Sequence, residues 1–269
     1  MANLSFLQFK PIFGDVQGNL DQIRKLAPRA KHGIIVLPEL FNTGYTFTSK
    51  EEAAELAEGV PEGETCATLT ALSKKMGSTI IAGFAEKFDS KIYNSAMVVS
   101  HGKFLGVYRK AHLFYKEKLW FTPGKTGFPV FNTKDGKVGV MICFDWIYPE
   151  AARILALNGA DVIAHPSNLV LPGLAQRGMR MRSLENRIFT ITANRVGIEK
   201  RGEDKFRFTG RSQIVSPKMK ILATANATET AVKSVEVDLS QARNKMITKL
   251  NNLLKGRRVD LYGSLTKQA

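Results

Sequence analysis

Short apolar runs alternate with amphipathic segments along most of this 269-residue chain. The runs at 33–37 and 137–142 have the length of buried strands, whereas 65–76 and 174–186 have the length and spacing of helices. The 44% of hydrophobic residues is enough to bury a large core. The alternation therefore predicts a mixed α/β fold in which helices cover sheets.

Turn and capping residues divide the chain into individual elements. Strands are predicted at 4–9, 33–37, 79–84, 94–99, 104–108, 137–142, 161–164, 188–194, 212–215, 220–223 and 231–237. Helices are predicted after the cap Asp15, over 65–76 before Gly77, from Pro149 to Leu157 and over 174–186. The sequence shows no linker-like stretch and no internal repeat. We therefore expect one domain over residues 1–269.

The two cysteines, Cys66 and Cys143, are too few for a disulfide framework and lack the spacing of a metal site. The N-terminus has no basic segment, and Lys10 and Asp15 interrupt its apolar stretch too early for a secretory signal. No run approaches the ~18 apolar residues that a membrane-spanning helix needs. These features predict a cytoplasmic protein with no membrane partner and no bound metal.

The chain is strongly basic, with 39 Lys and Arg against 24 Asp and Glu and a formal net charge of +15. Such a charge raises the hypothesis of a nucleic-acid partner. The basic residues are scattered, however, with short clusters only at 177–187 and 245–258, and no nucleic-acid-binding motif accompanies them. We therefore interpret the charge as a property of a solvated surface, without a specific nucleic-acid partner.

Cys143 lies in VGVMICFDWIYPE, where an apolar strand ends and a helix signal follows within a few residues. A nucleophile at such a turn is exposed, and the next backbone N–H, that of Phe144, is free to bind an oxyanion. A small buried core residue is the alternative, because free cysteine is among the most buried residue types. Cys143 is thus a candidate nucleophile.

Three charged residues follow predicted strands or lie near one. Glu39, in IIVLPELFNTGY, and Lys110, in GVYRKAHLF, come directly after apolar stretches, and Glu117 follows in an aromatic segment. A charged group in an apolar layer needs a partner, which favours a site over the alternative of solvated loop residues. Because functional groups gather at the carboxyl ends of strands, Glu39, Lys110 and Cys143 form a plausible site.

Other polar residues near these motifs leave alternatives open. Asp145 can line the same cavity or form a structural hydrogen bond, and Asn168 can offer an amide to a substrate or belong to a buried turn. The four histidines show no spacing that pairs one with Cys143. The sequence also lacks the GxSxG, GxGxxG and P-loop motifs, which removes the simplest hydrolase and nucleotide-binding interpretations.

Taken together, these segments resemble the nitrilase superfamily of carbon–nitrogen hydrolases. The resemblance is carried by a Glu in LPEL, a Lys in YRKAHLF and a Cys in MICFDWIYPE, in that order. It continues through GADVIAHPSN, RSLENRIFTITANR, FTGRSQIVSP and RRVDLYG, and so covers nearly the whole chain. The Phe-Asp after the cysteine looks more like the amidase and carbamoylase branches than the Trp-Glu of true nitrilases.

The resemblance implies a four-layer αββα sandwich that dimerises, and a triad of Glu39, Lys110 and Cys143 with Glu117 as a second glutamate. In this scheme Glu39 is the base, and Lys110 with the Phe144 N–H binds the oxyanion. No metal or organic cofactor has a role in it. The resemblance also implies that the pocket wall contains Tyr45, Trp146 and Asn168. Glu185 and Asn186 are expected to make structural hydrogen bonds near the site.

The expected function is hydrolysis of the C–N bond of a small linear amide through a thioester on Cys143. An N-carbamoyl-amine hydrolase and an aliphatic nitrilase are the alternatives, and a basic binding protein on the same fold is the non-enzymatic one. The segment at about 239–269 is basic and partly amphipathic and follows the last predicted strand. We expect this segment to take part in the interface of a homodimer or a higher homo-oligomer.

Overall fold

Two six-stranded sheets form the centre of the protein in the computed structural model, which describes residues 1–267. The first sheet has the order β14-β1-β2-β3-β4-β5, with bounds Ala231–Val237, Ala2–Gln8, Ile34–Val36, Thr79–Phe88, Lys91–Ser100 and Lys103–Arg109. The second has the order β13-β12-β9-β8-β7-β6, with bounds Ile221–Thr224, Gln213–Val215, Phe189–Asn194, Val162–Ser167, Gly136–Val140 and Val130–Thr133. In each sheet three central strands are parallel and the outer pairs are antiparallel.

Helices and one hairpin complete the fold. The helices are α1 (Val16–Leu26), α2 (Lys50–Leu56), α3 (Glu64–Met76), α4 (Glu117–Trp120), α5 (Pro149–Leu157), α6 (Leu174–Asn186) and α7 (Ser240–Arg243). Strands β10 (Val196–Arg201) and β11 (Asp204–Thr209) pair only with each other among the described residues. Short 3-10 helices lie at Ala27–Arg29, Cys143–Ile147, Val259–Leu261 and Gly263–Thr266.

The apolar residues divide the molecule into four layers. Because side chains alternate along a strand, β1 sends Leu4 and Phe6 toward the second sheet and Leu7 toward the helices. Leu20 of α1 and Leu69 of α3 cover that outer face of the first sheet. On the second sheet α5 and α6 fill the same position, and their buried side chains cluster with Ile163 of β8 and with Met141, which follows β7. The predicted αββα arrangement is confirmed.

Several elements agree with the sequence to the residue. Helix α6 and strand β14 have the predicted bounds. Asp15 caps α1 by accepting a hydrogen bond from the Gly18 N–H at 2.9 Å, and α3 ends at Gly77 with φ +54°. Helices α2 and α4, strand β6 and the β10–β11 hairpin were not predicted. Their residues are short or strongly polar runs, which carry little periodic apolar signal.

The C-terminal segment after α7 leaves several apolar side chains exposed. Leu250 is 93% exposed, and Val259, Leu261 and Leu265 are each 64% exposed. Residues 268 and 269, which end the predicted interface segment, lie outside the described residues. Among residues 1–267, no helix is both long and apolar enough to cross a lipid bilayer.

Candidate active site

Cys143 stands at the point where the chain leaves β7 and enters a 3-10 helix. Its φ of +41° is in the left-handed region, which is unfavourable for a residue with a side chain and occurs at functional turns. The residue is 5% exposed. The apolar strand thus carries the thiol into the interior, and the strained turn reverses the chain directly after it.

Asp145 holds this turn in place through four hydrogen bonds. Its carboxylate accepts from the Ile142 N–H at 2.8 Å and from the Tyr108 hydroxyl at 2.7 Å. It also accepts from the His112 N–H at 3.2 Å and lies 2.7 Å from His112 Nδ1. Of the two roles left open by the sequence, the structure shows the structural hydrogen bond, which joins the Cys143 turn to the segment after β5.

Glu39, Lys110 and Glu117 meet in one buried cluster. The Lys110 ammonium donates to Glu39 Oε1 at 2.7 Å and to Glu117 Oε1 at 2.8 Å. Lys110 and Glu39 are fully buried, and Glu117 is 4% exposed. Asn94 Nδ2 donates to the same Glu39 oxygen at 2.7 Å, whereas Glu39 Oε2 is buried without a hydrogen-bond partner among residues 1–267. One lone carboxylate oxygen therefore remains free to accept a proton.

The backbone at Glu39 lies unusually close to the first sheet. At Gly83 of β3, an added Cβ would lie 2.5 Å from the Glu39 Cα. Gly83 also accepts a hydrogen bond from the Phe41 N–H at 2.9 Å and donates to the Pro38 carbonyl at 3.1 Å. A glycine in β3 therefore allows the segment after β2 to bend over the sheet and bring the carboxylate inward.

Burial and charge together set the pKa values of the cluster. Burial would lower the pKa of Lys110, but the carboxylates of Glu117 and Glu39 outweigh it and raise the pKa above its ordinary value. Burial, reinforced by the Glu39 charge, raises the pKa of the Cys143 thiol well above its ordinary value. Burial also raises the pKa of Glu117 to about 7, although Lys110 opposes this. At rest the Cys143 thiol therefore keeps its proton, and the Lys110 ammonium is shared by two carboxyl groups.

The raised pKa of Glu117 predicts how stability depends on pH. A carboxyl with a higher pKa in the folded state stabilises the fold below its unfolded pKa, and this contribution disappears as pH rises through the folded value. The pKa of Glu117 rises from 4.5 in the unfolded chain to about 7 in the fold. As pH increases through this window, the unfolding free energy should therefore fall by on the order of 3 kcal/mol. Urea denaturation across that window should show the decrease, and Glu117→Gln should remove most of it. The exposed Glu236→Gln is the control and should leave the slope unchanged.

Two of the three predicted wall residues contact the cluster. The Tyr45 hydroxyl donates to Glu117 Oε1 at 2.9 Å, and Asn168 Nδ2 donates to the Glu39 backbone carbonyl at 3.0 Å. The Asn168 backbone also lowers the pKa of the Cys143 thiol, against the larger effects of burial and of the Glu39 charge, which raise it. The Trp146 ring instead lies over Gly178 of α6 and packs into the apolar cluster on the outer face of the second sheet.

Aromatic side chains pack beside two residues next to the cluster, Tyr45 and Phe144. Tyr45 packs edge-on against Phe206 and Phe208 of β11, with ring centroids 5.7 and 5.9 Å apart. The Phe144 ring lies 5.1 Å from that of Phe114.

The two residues predicted to make structural hydrogen bonds, Glu185 and Asn186, do so within α6. Glu185 accepts from the Arg182 guanidinium at 2.8 Å, and Asn186 Nδ2 donates to the Arg182 carbonyl at 3.0 Å.

Sequence reasoning missed a second buried ion pair that supports this region. Glu199 of β10 accepts from the backbone N–H groups of Tyr45 and Thr46 at 3.0 and 2.6 Å, and from Arg195 at 2.9 Å. Arg195 is fully buried, and its guanidinium lies 4.0 Å from the Phe208 ring centroid. An arginine directly after the apolar strand FTITAN was the available signal, since a cation at such a position needs a buried partner.

Comparison with known proteins identifies the family. The sequence profile described as carbon-nitrogen hydrolase matches residues 4–245. The protein named nitrilase from Pyrococcus abyssi is 49% identical over 97% of this chain and 99% of its own length. The chain belongs to the carbon–nitrogen hydrolase family.

Other members of the carbon–nitrogen hydrolase family agree with this assignment. The N-carbamoylputrescine amidase of Solanum lycopersicum is 35% identical over 97% of this chain and 94% of its own length. The crystal structure of a carbon-nitrogen hydrolase from Helicobacter pylori G27 superposes with a TM-score of 0.86 at 30% identity, covering 99% of each chain. The nitrilase-superfamily resemblance and the enzymatic interpretation are confirmed, and this chain is a carbon–nitrogen hydrolase.

Proposed function

We propose that this protein hydrolyses the C–N bond of a small linear amide through a thioester on Cys143. The observation that carries the proposal is the buried cluster in which Lys110 bonds both Glu39 and Glu117 while Glu39 Oε2 remains unpaired. An unpaired buried acceptor is costly unless something uses it, and the thiol proton is a suitable partner. The Glu39 charge adds to burial in raising the pKa of the Cys143 thiol, which supports a role for Glu39 as the base for that thiol.

The proposed reaction has two halves. Glu39 takes the thiol proton as Cys143 attacks the carbonyl carbon, and Lys110 with the Phe144 N–H stabilises the oxyanion. The C–N bond then breaks, Glu39 returns the proton to the leaving nitrogen, and a thioester remains on sulfur. Glu39 next removes a proton from water as the water oxygen attacks the thioester carbonyl. The C–S bond then breaks, the acid is released, and Glu39 returns the proton to the Cys143 sulfur. Glu117 orients Lys110 throughout.

The high pKa of the thiol favours this order of events. Because burial and Glu39 both raise the pKa of Cys143, the resting sulfur carries its proton. The base must therefore act during the attack rather than before it. A fixed ammonium beside the carboxylates costs no reorganisation when the oxyanion forms, which is where preorganised charge is most effective.

The substrate proposed is a small amide held against Tyr45 and Asn168, and the role of Trp146 in the wall stays a prediction. Two relatives support alternatives, because their names specify an N-carbamoylputrescine amidase and a nitrilase. The Phe144-Asp145 pair after the nucleophile favours the amide or the N-carbamoyl amine over the nitrile. We further propose a reducing cytoplasmic location, which the two free cysteines support.

Ammonia release from a panel of substrates tests the proposed function. The panel contains linear amides, N-carbamoyl amines, ω-amides of keto acids and aliphatic nitriles, each assayed with the wild type and with Cys143→Ala. We expect the highest Cys143-dependent kcat/KM with a linear amide. A higher value for a carbamoyl amine or a nitrile would replace the proposed substrate class, and turnover that persists without Cys143 would contradict the mechanism.

We propose that residues 1–269 form one hydrolase domain that assembles as a homodimer through α5, α6 and the C-terminal segment. Exposed apolar side chains support this surface, including Leu157 at 42%, Met181 at 45% and Leu184 at 40%. The two helices pack against each other, and exposed apolar side chains on neighbouring helices are typical of an interaction surface. The 93% exposed Leu250 of the C-terminal segment has the same character.

Light scattering at micromolar concentration and physiological salt checks the dimer. We expect a mass twice the 29.8 kDa of the chain. Leu184→Lys should shift the mass toward the monomer, whereas the same change at exposed Leu105 of β5 should not. A monomer mass for the wild type would overturn the proposal.

A further inference from the structure

His165 lies behind the nucleophile turn, where the proposed mechanism gives it no role. The side chain is fully buried in β8, and its Nε2 lies 2.8 Å from the backbone carbonyl oxygen of Cys143. Because a carbonyl only accepts hydrogen bonds, Nε2 carries the hydrogen and donates it. The other ring nitrogen, Nδ1, then accepts from the Thr192 hydroxyl at 3.1 Å, and the Ser167 hydroxyl lies 3.3 Å from Nδ1 and 3.2 Å from Nε2. The contact with the carbonyl fixes one tautomer of the imidazole.

The stereochemistry of the peptide unit connects this contact to the oxyanion. The Cys143 carbonyl and the Phe144 N–H belong to the same peptide, and in a planar trans peptide the two groups point in opposite directions. The Cys143–Phe144 peptide bond is trans. A donor that holds the carbonyl on the β8 side therefore turns the Phe144 N–H away from β8.

The turn also needs such an anchor. Cys143 is held at φ +41°, a conformation that surrounding contacts must maintain because it is unfavourable for a residue with a Cβ. Asp145 fixes the peptide before the cysteine, because its backbone N–H donates to the Ile142 carbonyl at 3.0 Å while its carboxylate accepts from the Ile142 N–H. His165 is the side chain that bonds the carbonyl of the peptide after it.

We infer that His165 is a positioning residue that holds the Cys143–Phe144 peptide so that the Phe144 N–H faces the oxyanion. This inference rests on the proposed function, in which that N–H is one of two oxyanion donors. The imidazole acts as a neutral donor, because burial lowers the pKa of His165 to about 4. It therefore orients the peptide without adding a positive charge to the cluster.

The test compares His165→Phe, which keeps a ring but removes the donor, with His165→Gln, whose side-chain amide can restore a donor near Nε2. For each variant kcat and KM are measured with the best amide, together with the inhibition constant of the corresponding aldehyde. An aldehyde adds to the thiol to give a hemithioacetal, whose oxygen occupies the oxyanion position, whereas the amide ground state does not require that contact.

Removal of one oxyanion donor typically costs ~10²–10³ in kcat. For His165→Phe we expect a loss of about 10²-fold in kcat, a similar loss in aldehyde affinity and a KM within about threefold of wild type. His165→Gln should recover most of both losses. A merely structural role would lower thermal stability and leave the ratio of aldehyde to amide affinity unchanged, and that result would overturn the inference.

The double variant Thr192→Val, Ser167→Ala keeps the test decisive if His165→Phe does not fold. It removes both hydroxyls that contact Nδ1, at 3.1 and 3.3 Å, and so frees the ring to shift away from the Cys143 carbonyl. We expect a loss of about threefold or more in aldehyde affinity with KM unchanged. Wild-type aldehyde affinity in this folded variant would overturn the inference. The proposed function is judged separately, because it fails if the wild type shows no Cys143-dependent turnover, whereas the inference fails if an active wild type and the variants share the same constants.

Discussion

Cys143→Ala is expected to abolish turnover while the protein retains its fold. Without a nucleophile no thioester can form, and the remaining donors cannot replace it. We expect kcat to fall by about 10⁴-fold or more, which corresponds to about 5 kcal/mol of transition-state stabilisation. Cys143→Ser should be nearly as inactive, because a hydroxyl is much less acidic than a thiol and leaves less readily from the second tetrahedral intermediate.

The buried environment makes the serine substitution especially unfavourable. The pKa of the thiol is already raised by burial and by Glu39, so Glu39 must remove a proton that the site holds tightly. A serine proton is held more tightly still. The unpaired oxygen of Glu39 can accept the proton of a thiol. Serine enzymes activate the less acidic hydroxyl with an imidazole base, whereas here the proposed base is a carboxylate.

Cys66→Ala is the matched control for this prediction. Cys66 is also a buried free cysteine, but it lies in α3 and packs with the apolar residues under the first sheet. Its removal should lower thermal stability slightly and leave kcat unchanged. The measurements are ammonia release and mass spectrometry of the wild type for an acyl adduct on Cys143. If Cys143→Ala keeps more than about a tenth of the wild-type rate, a loss below ~1.4 kcal/mol, the nucleophile is another residue.

The sequence predicted those parts of the site that lie next to strand ends. Glu39 follows β2, Lys110 follows β5 and Cys143 follows β7, and each strand has a clear apolar signal. Proximity of Lys110 and Glu39 is a property of the fold, because 71 residues separate them along the chain. No local sequence pattern shows that two residues so far apart along the chain are close in space. The sequence alone therefore identified the side chains but not their contact.

The supporting residues could not be predicted for the same reason. Asn94 lies inside β4 and reaches Glu39 across 55 residues, and Glu199 reaches Tyr45 across 154 residues. Their neighbours in sequence are ordinary strand residues that give no functional signal. Strand β3 continues to Phe88, four residues past the predicted end at Phe84. The extension contains the buried Glu86, whose carboxylate accepts from Arg109 of β5 at 2.6 Å. This partner is distant in sequence, so in the sequence alone the charged residue indicates the end of the strand.

The cluster of Lys110, Glu39 and Glu117 also makes a prediction about stability. The single ammonium sits between two carboxyl groups, and all three side chains are almost completely buried. Removing one partner of a buried ion pair leaves an uncompensated charge, which typically costs about 3–5 kcal/mol. Lys110→Met should therefore lower the free energy of unfolding by about that amount. It should also abolish turnover, because the oxyanion loses its charged donor.

The triple variant Lys110→Met, Glu39→Gln, Glu117→Gln separates these two effects. It neutralises the carboxyl groups that Lys110→Met leaves unpaired, so most of the lost stability should return while turnover stays absent. Lys103→Met is the matched control, because Lys103 is an exposed lysine in β5, and it should change the unfolding free energy by less than about 0.5 kcal/mol. Urea denaturation and ammonia release are the two measurements. A Lys110→Met variant as stable as the wild type would show that the ammonium does not compensate the buried carboxylates, and a triple variant no more stable than the single one would show that charge is not the cause of the loss.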